Sequence, residues 1–208
     1  MPILIAAVVG YLLGAIPFGL IVGRLTKGID LREYGSHRTG ATNALRTLGA
    51  KAAALVFVLD VAKGVAAVLI ARAIGGDDAE WAAAVGGFAA IVGHNWSVFI
   101  GFTGGRGVAT SAGALAAVTP WTLVVVFPVV AFVIWRWRYV SLGSIVGALL
   151  APIVTAVLVA FGQANLAAVA YALASGVLVT AAHADNIGRL RAGTERRIGQ
   201  KEAVKSHG

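Results

Sequence analysis

The amino-acid sequence predicts an all-α polytopic membrane protein with seven transmembrane helices, several of them short. Of its 208 residues, 59% are hydrophobic and only 12% are charged, whereas about a quarter of the residues in a soluble domain are charged. Apolar segments recur along the chain and are long enough to cross about 30 Å of hydrocarbon. The 27 glycines suit close helix packing in lipid, where large apolar side chains gain little from contacting one another.

Six apolar segments follow one another along the chain. They are residues 3–22, 52–74, 81–100, 107–135, 142–161 and 166–183. The first has no basic region before it and no clear cleavage site, so we interpret it as a retained helix rather than a signal peptide. The fourth is too long for one span and contains Pro120. Because proline lacks an amide hydrogen and disfavours a helical residue before it, this segment is either one kinked helix or two short ones.

The distribution of charge favours two helices in the fourth segment. Residues 24–51 and the tail from residue 183 are rich in Lys and Arg, whereas the loop after the second segment is acidic. The positive-inside rule then places the N-terminus outside and the C-terminus in the cytoplasm, which requires an odd number of crossings. Division at Pro120 gives seven. We expect residues 1–198 to form a single seven-helix transmembrane domain and residues 199–208 to form a polar cytoplasmic tail.

Composition also excludes several classes of site and partner. The net charge of +8 does not indicate nucleic-acid binding, because the Lys and Arg residues flank apolar segments, where they control topology. The chain has no cysteine, which excludes disulfides and thiolate chemistry. Its four histidines lack the His–carboxylate spacing of metal sites, so we expect neither a metal nor a cofactor.

The first polar cluster runs from Gly35 to Asn43 and is followed by Arg46. Glycines allow close backbone approach to a ligand, and exposed amides at the start of a helix bind anions. If the chain is helical from Ala41, then Thr42, Asn43 and Arg46 share a face, and Arg46 offers a bidentate contact to phosphate. The alternative is a capped cytoplasmic loop whose basic residues contact lipid head groups. The residues of this cluster favour neither interpretation.

The second cluster places Arg106 among three glycines, Gly104, Gly105 and Gly107, just before an apolar helix. Glycines at this density are entropically costly unless the backbone geometry needs them. The Gly-Lys-Ser/Thr ending of a P-loop is missing, so we predict a different phosphate cradle, with a helix-packing patch as the alternative. His94, which precedes this cluster, is interpreted as a structural histidine rather than a base.

The third cluster consists of His183, Asn186 and Arg189, with Glu195 beyond them. Spacing of three along a helix end places the first three near one face. They offer hydrogen bonds to hydroxyl groups and phosphate but include no obvious nucleophile. The alternative is a juxtamembrane helix with head-group contacts. All three clusters fall in segments that the charge pattern assigns to the cytoplasmic face, which is expected of a site at that leaflet.

Asp60 and Lys63 are ionisable residues near the middle of the second apolar segment. Charges at that depth are costly and often functional. Their spacing of three residues permits mutual neutralisation, and we therefore predict a structural ion pair inside the helix bundle.

These motifs resemble those of the bacterial acyl-phosphate:glycerol-3-phosphate acyltransferases over essentially the whole chain. The family's first motif is matched by Gly35, Ser36, Gly40, Ala41, Thr42, Asn43 and Arg46. Its second is similar to Gly93-His94 and to the run from Gly104 to Thr110. Its third is intact from His183 to Glu195, and Ser141 matches a serine of the family's substrate pocket.

The resemblance implies transfer of a fatty acyl group from acyl phosphate to the 1-position of sn-glycerol 3-phosphate, without a covalent acyl-enzyme. The products are lysophosphatidic acid and phosphate, in the first acylation of phospholipid biosynthesis. Acyl phosphate has a good leaving group, so positioning and charge neutralisation suffice. The acceptor's own phosphate oxygens serve as the base, with His183 as second choice. The implied setting is the bacterial inner membrane with the site facing the cytoplasm, and the implied partners are membrane lipids and an upstream acyl-phosphate-forming enzyme.

The resemblance also assigns roles to individual residues. The implied catalytic residues are Ser36, Arg46, His183 and Asn186. The implied substrate-binding residues are Gly35, Gly40, Thr42, Asn43, Gly104, Gly105, Arg106, Gly107, Ser141, Arg189 and Glu195.

Some residues depart from the family pattern. His37, Arg38 and Thr39 replace the usual Gly-Asn-Ile, and Thr103 stands where a Lys is common. These changes leave the identity of donor and acceptor open. The alternative function is a membrane transporter or binding protein for a phosphorylated metabolite, which would be indicated by inverted repeats with helices broken at the midplane. The sequence has no clear repeat of that kind.

Overall fold

The computed structural model describes residues 1–200, and within them it has ten α-helices, whose two longest connections are residues 28–40 and 96–107. The predicted tail is therefore described only at residues 199 and 200, and residues 201–208 lie outside the described part. The helices are α1 (Pro2–Ala15), α2 (Phe18–Lys27), α3 (Ala41–Thr47), α4 (Ala50–Ile74), α5 (Ala79–Asn95), α6 (Val108–Val118), α7 (Pro120–Trp137), α8 (Val140–Ala160), α9 (Leu166–Ala182) and α10 (Ala184–Arg191).

Four segments are long and apolar enough to cross a membrane. They are the combined segment of α1 and α2, and the helices α4, α7 and α8. A fifth candidate is α9 with α10, which meet at a bend of 58°. Helix α6, with 11 residues, is shorter than the roughly 17–25 residues of a typical span. The predicted all-helical membrane architecture is confirmed, whereas the count of seven crossings stays a prediction.

Prolines divide two of the predicted apolar segments. Helix α6 ends at Val118 and α7 begins at Pro120, so the fourth segment is two helices, as predicted. The first segment is also divided, at Ile16 and Pro17, which the apolar pattern does not indicate. Proline has no amide hydrogen to donate to the carbonyl four residues earlier. At the break, the carbonyl of Ile16 accepts hydrogen bonds of 3.1 Å from the amide of Phe18 and of 2.9 Å from Lys63 Nζ.

Small residues allow the helices to approach closely. At Gly10 and Gly14 of α1, a side chain would overlap the backbone of Gly86 and Ala90 on α5. Helices α4 and α6 meet in the same way at Gly64, which faces the backbone of Thr110. Close backbone contact of this kind is how helices associate in lipid. It explains why glycine is abundant in apolar segments.

A buried charged cluster connects α4 to α5. Lys63 Nζ lies 2.8 Å from Asp60 Oδ1, and both side chains are 3% exposed or less. His94 Nδ1 lies 3.5 Å from the same Asp60 oxygen. The predicted structural ion pair is therefore present, and it includes a histidine from a second helix.

The opposite ends of the helices are held by a polar network. Arg72 donates hydrogen bonds to both carboxylate oxygens of Glu80 and one of 3.1 Å to the carbonyl of Ala117. Asn165 donates to Glu80 Oε2 over 3.1 Å. This network ties α4, α5 and α6 to the start of α9, and it lies at the end of the bundle away from the three polar clusters.

Candidate active site

The glycine loop, residues 104–107, packs against the end of α5. The amide of Gly105 donates a hydrogen bond of 3.1 Å to the carbonyl of His94. A side chain at Gly104 would overlap that carbonyl, and one at Gly105 would overlap the His94 ring. Gly107 has φ of 74°, a conformation that favours glycine. The loop therefore needs its glycines, and His94 is a structural support, as the sequence analysis proposed.

The second and third clusters meet at Arg106. Its Nε donates a hydrogen bond of 3.1 Å to the carbonyl of Ala182, at the end of α9. Burial lowers the pKa of the Arg106 guanidinium, and the nearby positive charges of Arg38 and Arg189 lower it further, against the opposing effect of Glu195 and Asp185. The guanidinium groups of Arg38, Arg106 and Arg189 therefore lie close enough to repel one another. A bound anion would relieve this repulsion, so the arrangement favours anion binding.

Glu195 is the centre of the third cluster. Its Oε1 accepts hydrogen bonds from Ser141 Oγ at 2.8 Å and from Asn186 Nδ2 at 2.7 Å. Its Oε2 accepts from Arg189 Nε at 2.8 Å. Burial raises the pKa of this carboxyl, but the hydrogen bonds from Asn186, Ser141 and Arg189 outweigh burial and hold the pKa below its usual value. Glu195 is therefore an ionised anchor and a poor base.

His183 stands at the junction of α9 and α10 and is 3% exposed. Its Nδ1 lies 2.7 Å from the carbonyl oxygen of Val179. Because a carbonyl only accepts, Nδ1 carries the proton and Nε2 keeps a lone pair. The Oδ1 atom of the neighbouring Asn186 has no hydrogen-bond partner among the described residues. The third cluster thus retains two acceptor atoms that its own hydrogen bonds do not use.

Asn43 organises the loop of the first cluster. Its Oδ1 accepts a hydrogen bond from the amide of Ser36, and its Nδ2 donates to the carbonyls of Leu31, Tyr34 and Arg38. The side chain is 2% exposed. Both amide hydrogens are therefore engaged within the loop, and the structure gives Asn43 a supporting position rather than a free donor for a substrate.

The other residues of the first cluster surround Asn43. Gly35 has φ of 60° and lies against Asn43 Oδ1, and Gly40 precedes the first turn of α3. On α3, Thr42 is partly buried and Arg46 is exposed. Because the chain is helical from Ala41, Arg46 lies three residues after Asn43 on the same helix, which is the condition for the expected shared face. No hydrogen bond described for Ser36 or Thr42 joins them to the second or third cluster.

The residues that depart from the family pattern have defined positions. His37 has φ of 56°, where glycine is favoured, and its Nδ1 donates to the carbonyl of Arg32 at 2.8 Å. Thr103 accepts a hydrogen bond of 3.1 Å from Arg32 Nη1. Arg38 lines the same cavity as Gly105. Arg38 is therefore the residue of the first cluster that the structure places beside the glycine loop.

Two cavities adjoin these clusters. The polar cavity has a volume of about 280 Å³ and is lined by residues that include Arg38, Asn95, Gly105 and Asp185. An apolar groove of about 110 Å³ lies between α6, α7, α8 and α9, and its lining includes Val108, next to Gly107. Asn95 belongs to the Gly93–Trp96 stretch of the second motif, but the sequence assigned it no role. Motif reasoning missed the groove, because the groove combines apolar residues from four helices that no sequence spacing connects.

Comparison with known proteins identifies the family. The family model for glycerol-3-phosphate acyltransferase matches residues 4–193. A glycerol-3-phosphate acyltransferase of a Synechococcus species is 48% identical over 200 residues, which cover 96% of this chain and 95% of the relative. Glycerol-3-phosphate acyltransferase 2 of Moorella thermoacetica is 46% identical over 198 residues, with coverage of 95% and 98%.

Solved structures agree with this relationship. The crystal structure of PlsY (YgiH), an integral membrane glycerol 3-phosphate acyltransferase, in its glycerol 3-phosphate form is 38% identical, with a TM-score of 0.85 and 96% of each chain covered. Its lysophosphatidic acid form is 37% identical, with a TM-score of 0.83 and the same coverage. The chain described here belongs to the glycerol-3-phosphate acyltransferase family.

Proposed function

We propose that this protein transfers a fatty acyl group from acyl phosphate to the 1-position of sn-glycerol 3-phosphate, releasing lysophosphatidic acid and inorganic phosphate. The observation that carries the proposal is the proximity of three guanidinium groups: Arg38 lines the polar cavity, and Arg38 and Arg189 are both close enough to Arg106 to act on its charge. The apolar groove begins at Val108, two residues after Arg106. Two phosphate-bearing substrates require such positive charge, and a fatty chain requires such a groove.

Direct attack by the acceptor hydroxyl explains the chemistry best. A covalent acyl-enzyme needs an activated nucleophile, and Ser141 donates its hydroxyl to Glu195. A carboxylate with a lowered pKa is a weak base and does not activate that hydroxyl. The bond from the acyl carbon to the leaving phosphate therefore breaks as the acceptor oxygen attacks. The proton goes to a phosphate oxygen of the acceptor, with His183 Nε2 as the second candidate.

The remaining residues position the substrates and neutralise charge. We assign Ser36, Arg46, His183 and Asn186 to the reacting groups, and we assign Arg106, Arg189 and the amides of Gly104 and Gly107 to phosphate. Ser141 and Glu195 hold Asn186 and Arg189 in place. Preorganised donors of this kind stabilise developing negative charge at little cost in reorganisation.

The apolar groove is proposed to hold the acyl chain. Its walls come from α6, α7, α8 and α9. It begins beside the glycine loop at Val108 and beside Ser144, one turn from Ser141. An acyl chain in this groove has its carbonyl at the polar end, where the guanidinium groups lie.

The proposed topology has seven crossings in one domain, residues 1–198. Helices α1 and α2 form the first crossing, followed by α4, α5, α6, α7, α8 and α9. The N-terminus lies outside, and the site and the polar tail, residues 199–208, lie in the cytoplasm of a bacterial cell, with the protein in the inner membrane. Supporting this orientation, the basic segment 24–51 and the three clusters share one end of the bundle, and acidic residues occupy the other. The acyl donor is supplied by an upstream enzyme that forms acyl phosphate.

The decisive experiment offers acyl phosphate and acyl-CoA in competition to purified protein with glycerol 3-phosphate. We expect lysophosphatidic acid and phosphate in equal amounts, with the acyl group drawn from acyl phosphate. Uptake of unchanged glycerol 3-phosphate into proteoliposomes, without lysophosphatidic acid, would favour a transporter instead. Product formed from acyl-CoA alone would contradict the proposed donor.

A further inference from the structure

A buried amide in the polar cavity has no place in the proposed reaction. Asn95 is the last residue of α5 and is 4% exposed. It lines the cavity of about 280 Å³ together with Arg38, Gly105 and Asp185. Neither Oδ1 nor Nδ2 of Asn95 has a hydrogen-bond partner among the described residues. Buried polar groups are nearly always paired, so a donor and an acceptor left open on one side chain point to a ligand.

The glycine loop packs directly against this amide. The nearest part of the glycine loop is Gly107, and a side chain there would place its Cβ 3.0 Å from Asn95 Oδ1 and 2.5 Å from Ile91 Cγ2. A larger residue at position 107 would therefore press on the amide. Glycine at position 107 therefore lets the loop lie against the Asn95 side chain, at the edge of the cavity, without displacing it.

The chemistry of an amide selects the kind of group that satisfies it. Nδ2 can only donate and Oδ1 can only accept. A phosphate oxygen satisfies Nδ2 alone, and an ammonium group satisfies Oδ1 alone. A hydroxyl group both donates and accepts and can pair with either atom, or with both. Arg38 lies on the same cavity and supplies charge for a phosphate on the same ligand.

We propose that Asn95 binds the secondary hydroxyl of the acceptor and so determines which polyol phosphate is acylated. The primary hydroxyl must approach the acyl carbon, which leaves the secondary hydroxyl as the group to be held. This inference rests on the proposed function, because it takes glycerol 3-phosphate as the acceptor. Asn95 is thus a specificity-determining residue, separate from the groups assigned to the reacting atoms.

The test compares two acceptors that differ by one hydroxyl. Glycerol 3-phosphate is compared with 3-hydroxypropyl phosphate, which keeps the phosphate and the primary hydroxyl but lacks the secondary one. Binding of each is measured by calorimetry on the purified protein without donor, and kcat/KM is measured with acyl phosphate. The variants are N95L, which has a similar volume, and N95A. The matched control is T180V, because the Thr180 hydroxyl is also buried and unpartnered but does not line the cavity.

We expect wild type and T180V to prefer glycerol 3-phosphate by about tenfold or more, the effect of one hydrogen bond whose loss leaves a buried group unpaired. N95L and N95A should lose this preference through weaker binding of glycerol 3-phosphate, with 3-hydroxypropyl phosphate unaffected. A wild type that binds both compounds equally would overturn the inference even if neither variant folds. The inference would also be overturned if N95L and N95A bound both acceptors more weakly by the same factor. If the proposed reaction is wrong, no lysophosphatidic acid forms with acyl phosphate. Calorimetry without the donor still shows whether Asn95 distinguishes the two acceptors, so the two failures can be told apart.

Discussion

At the scale of single residues, Glu195 shows how a charged side chain can be structural within a polar site. It accepts hydrogen bonds from α8, through Ser141, and from α10, through Asn186 and Arg189. Fifty-four residues separate Ser141 from Glu195. A contact over that distance has no periodic signal, so the sequence placed Glu195 beside the third cluster but pointed to Ser141 through motif resemblance alone.

The lowered pKa of Glu195 predicts how stability depends on pH. A carboxyl whose pKa is lower in the folded state stabilises the protein above its unfolded pKa, and this contribution is lost as pH falls through the folded value. We expect E195Q to unfold more easily at pH 7, by about 1–3 kcal/mol, and to show a flatter loss of Tm below pH 5 than wild type. Thermal unfolding in detergent between pH 3 and pH 7 measures both effects.

The exposed carboxyl of Glu33 provides the control for this experiment. E33Q should follow the wild-type curve. Parallel curves for E195Q and wild type would show that the hydrogen-bonded carboxylate contributes nothing to folding.

Arg46 gives a second prediction at this scale. Because we assign its guanidinium to the reacting phosphates, R46A should lose about 100-fold or more in kcat/KM while keeping its unfolding temperature. N186A should lose activity to a similar extent, because Asn186 Oδ1 is unpartnered among the described residues. It should also be somewhat less stable, because the substitution removes the hydrogen bond to Glu195. Lys51 is an exposed basic residue nearby, and K51A is the control. Near-normal turnover in both site variants would discredit the site assignment.

At the scale of elements, hydropathy and proline position predicted α4, α6, α7, α8 and α9 to within a few residues, whereas α5 ends at Asn95 rather than at residue 100 and the first segment is two helices. Pro120 separates α6 from α7 as expected. The break at Pro17 was missed because the apolar run continues past it, and hydropathy does not register a lost backbone hydrogen bond. The carbonyl of Ile16, at the break, accepts a hydrogen bond from Lys63, a partner that only the folded structure identifies.

The glycine loop gives a prediction for an element. In G105A the new methyl group collides with the His94 ring, so the loop must shift. We expect a KM for glycerol 3-phosphate that is at least several-fold higher and a destabilisation of about 1–3 kcal/mol. In contrast, G188A adds a methyl group with nothing within 4 Å and should match wild type. Unchanged kinetics in G105A would mean that the loop does not bind the acceptor.

The buried cluster between α4 and α5 gives a prediction about packing. D60L leaves the ammonium of Lys63 buried without its carboxylate, which should cost about 3–5 kcal/mol. The double variant D60L/K63M removes both charges and should recover most of that loss. Unfolding temperatures in detergent provide the comparison. A double variant no more stable than D60L would show that the pair itself stabilises the bundle.

At the scale of the whole molecule, the membrane topology is the main untested prediction. The chain has no cysteine, so single cysteines can be placed freely. We expect D77C to react with a membrane-impermeant maleimide in intact cells, and K51C to react only after the membrane is opened. Labelling of K51C in intact cells would reverse the orientation and move the site to the outer face.

The close contact of α1 with α5 has a consequence for how this protein is made. Gly10 meets Gly86, but synthesis proceeds at about 5–20 residues per second, so Gly86 is added several seconds after Gly10. During that interval the glycine face of α1 is in contact with lipid or with the insertion machinery. Final assembly therefore depends on the arrival of α5, and the end of α5 supports the glycine loop. The glycine loop, which we propose binds the acceptor, is supported only after the first helix has found a partner made much later.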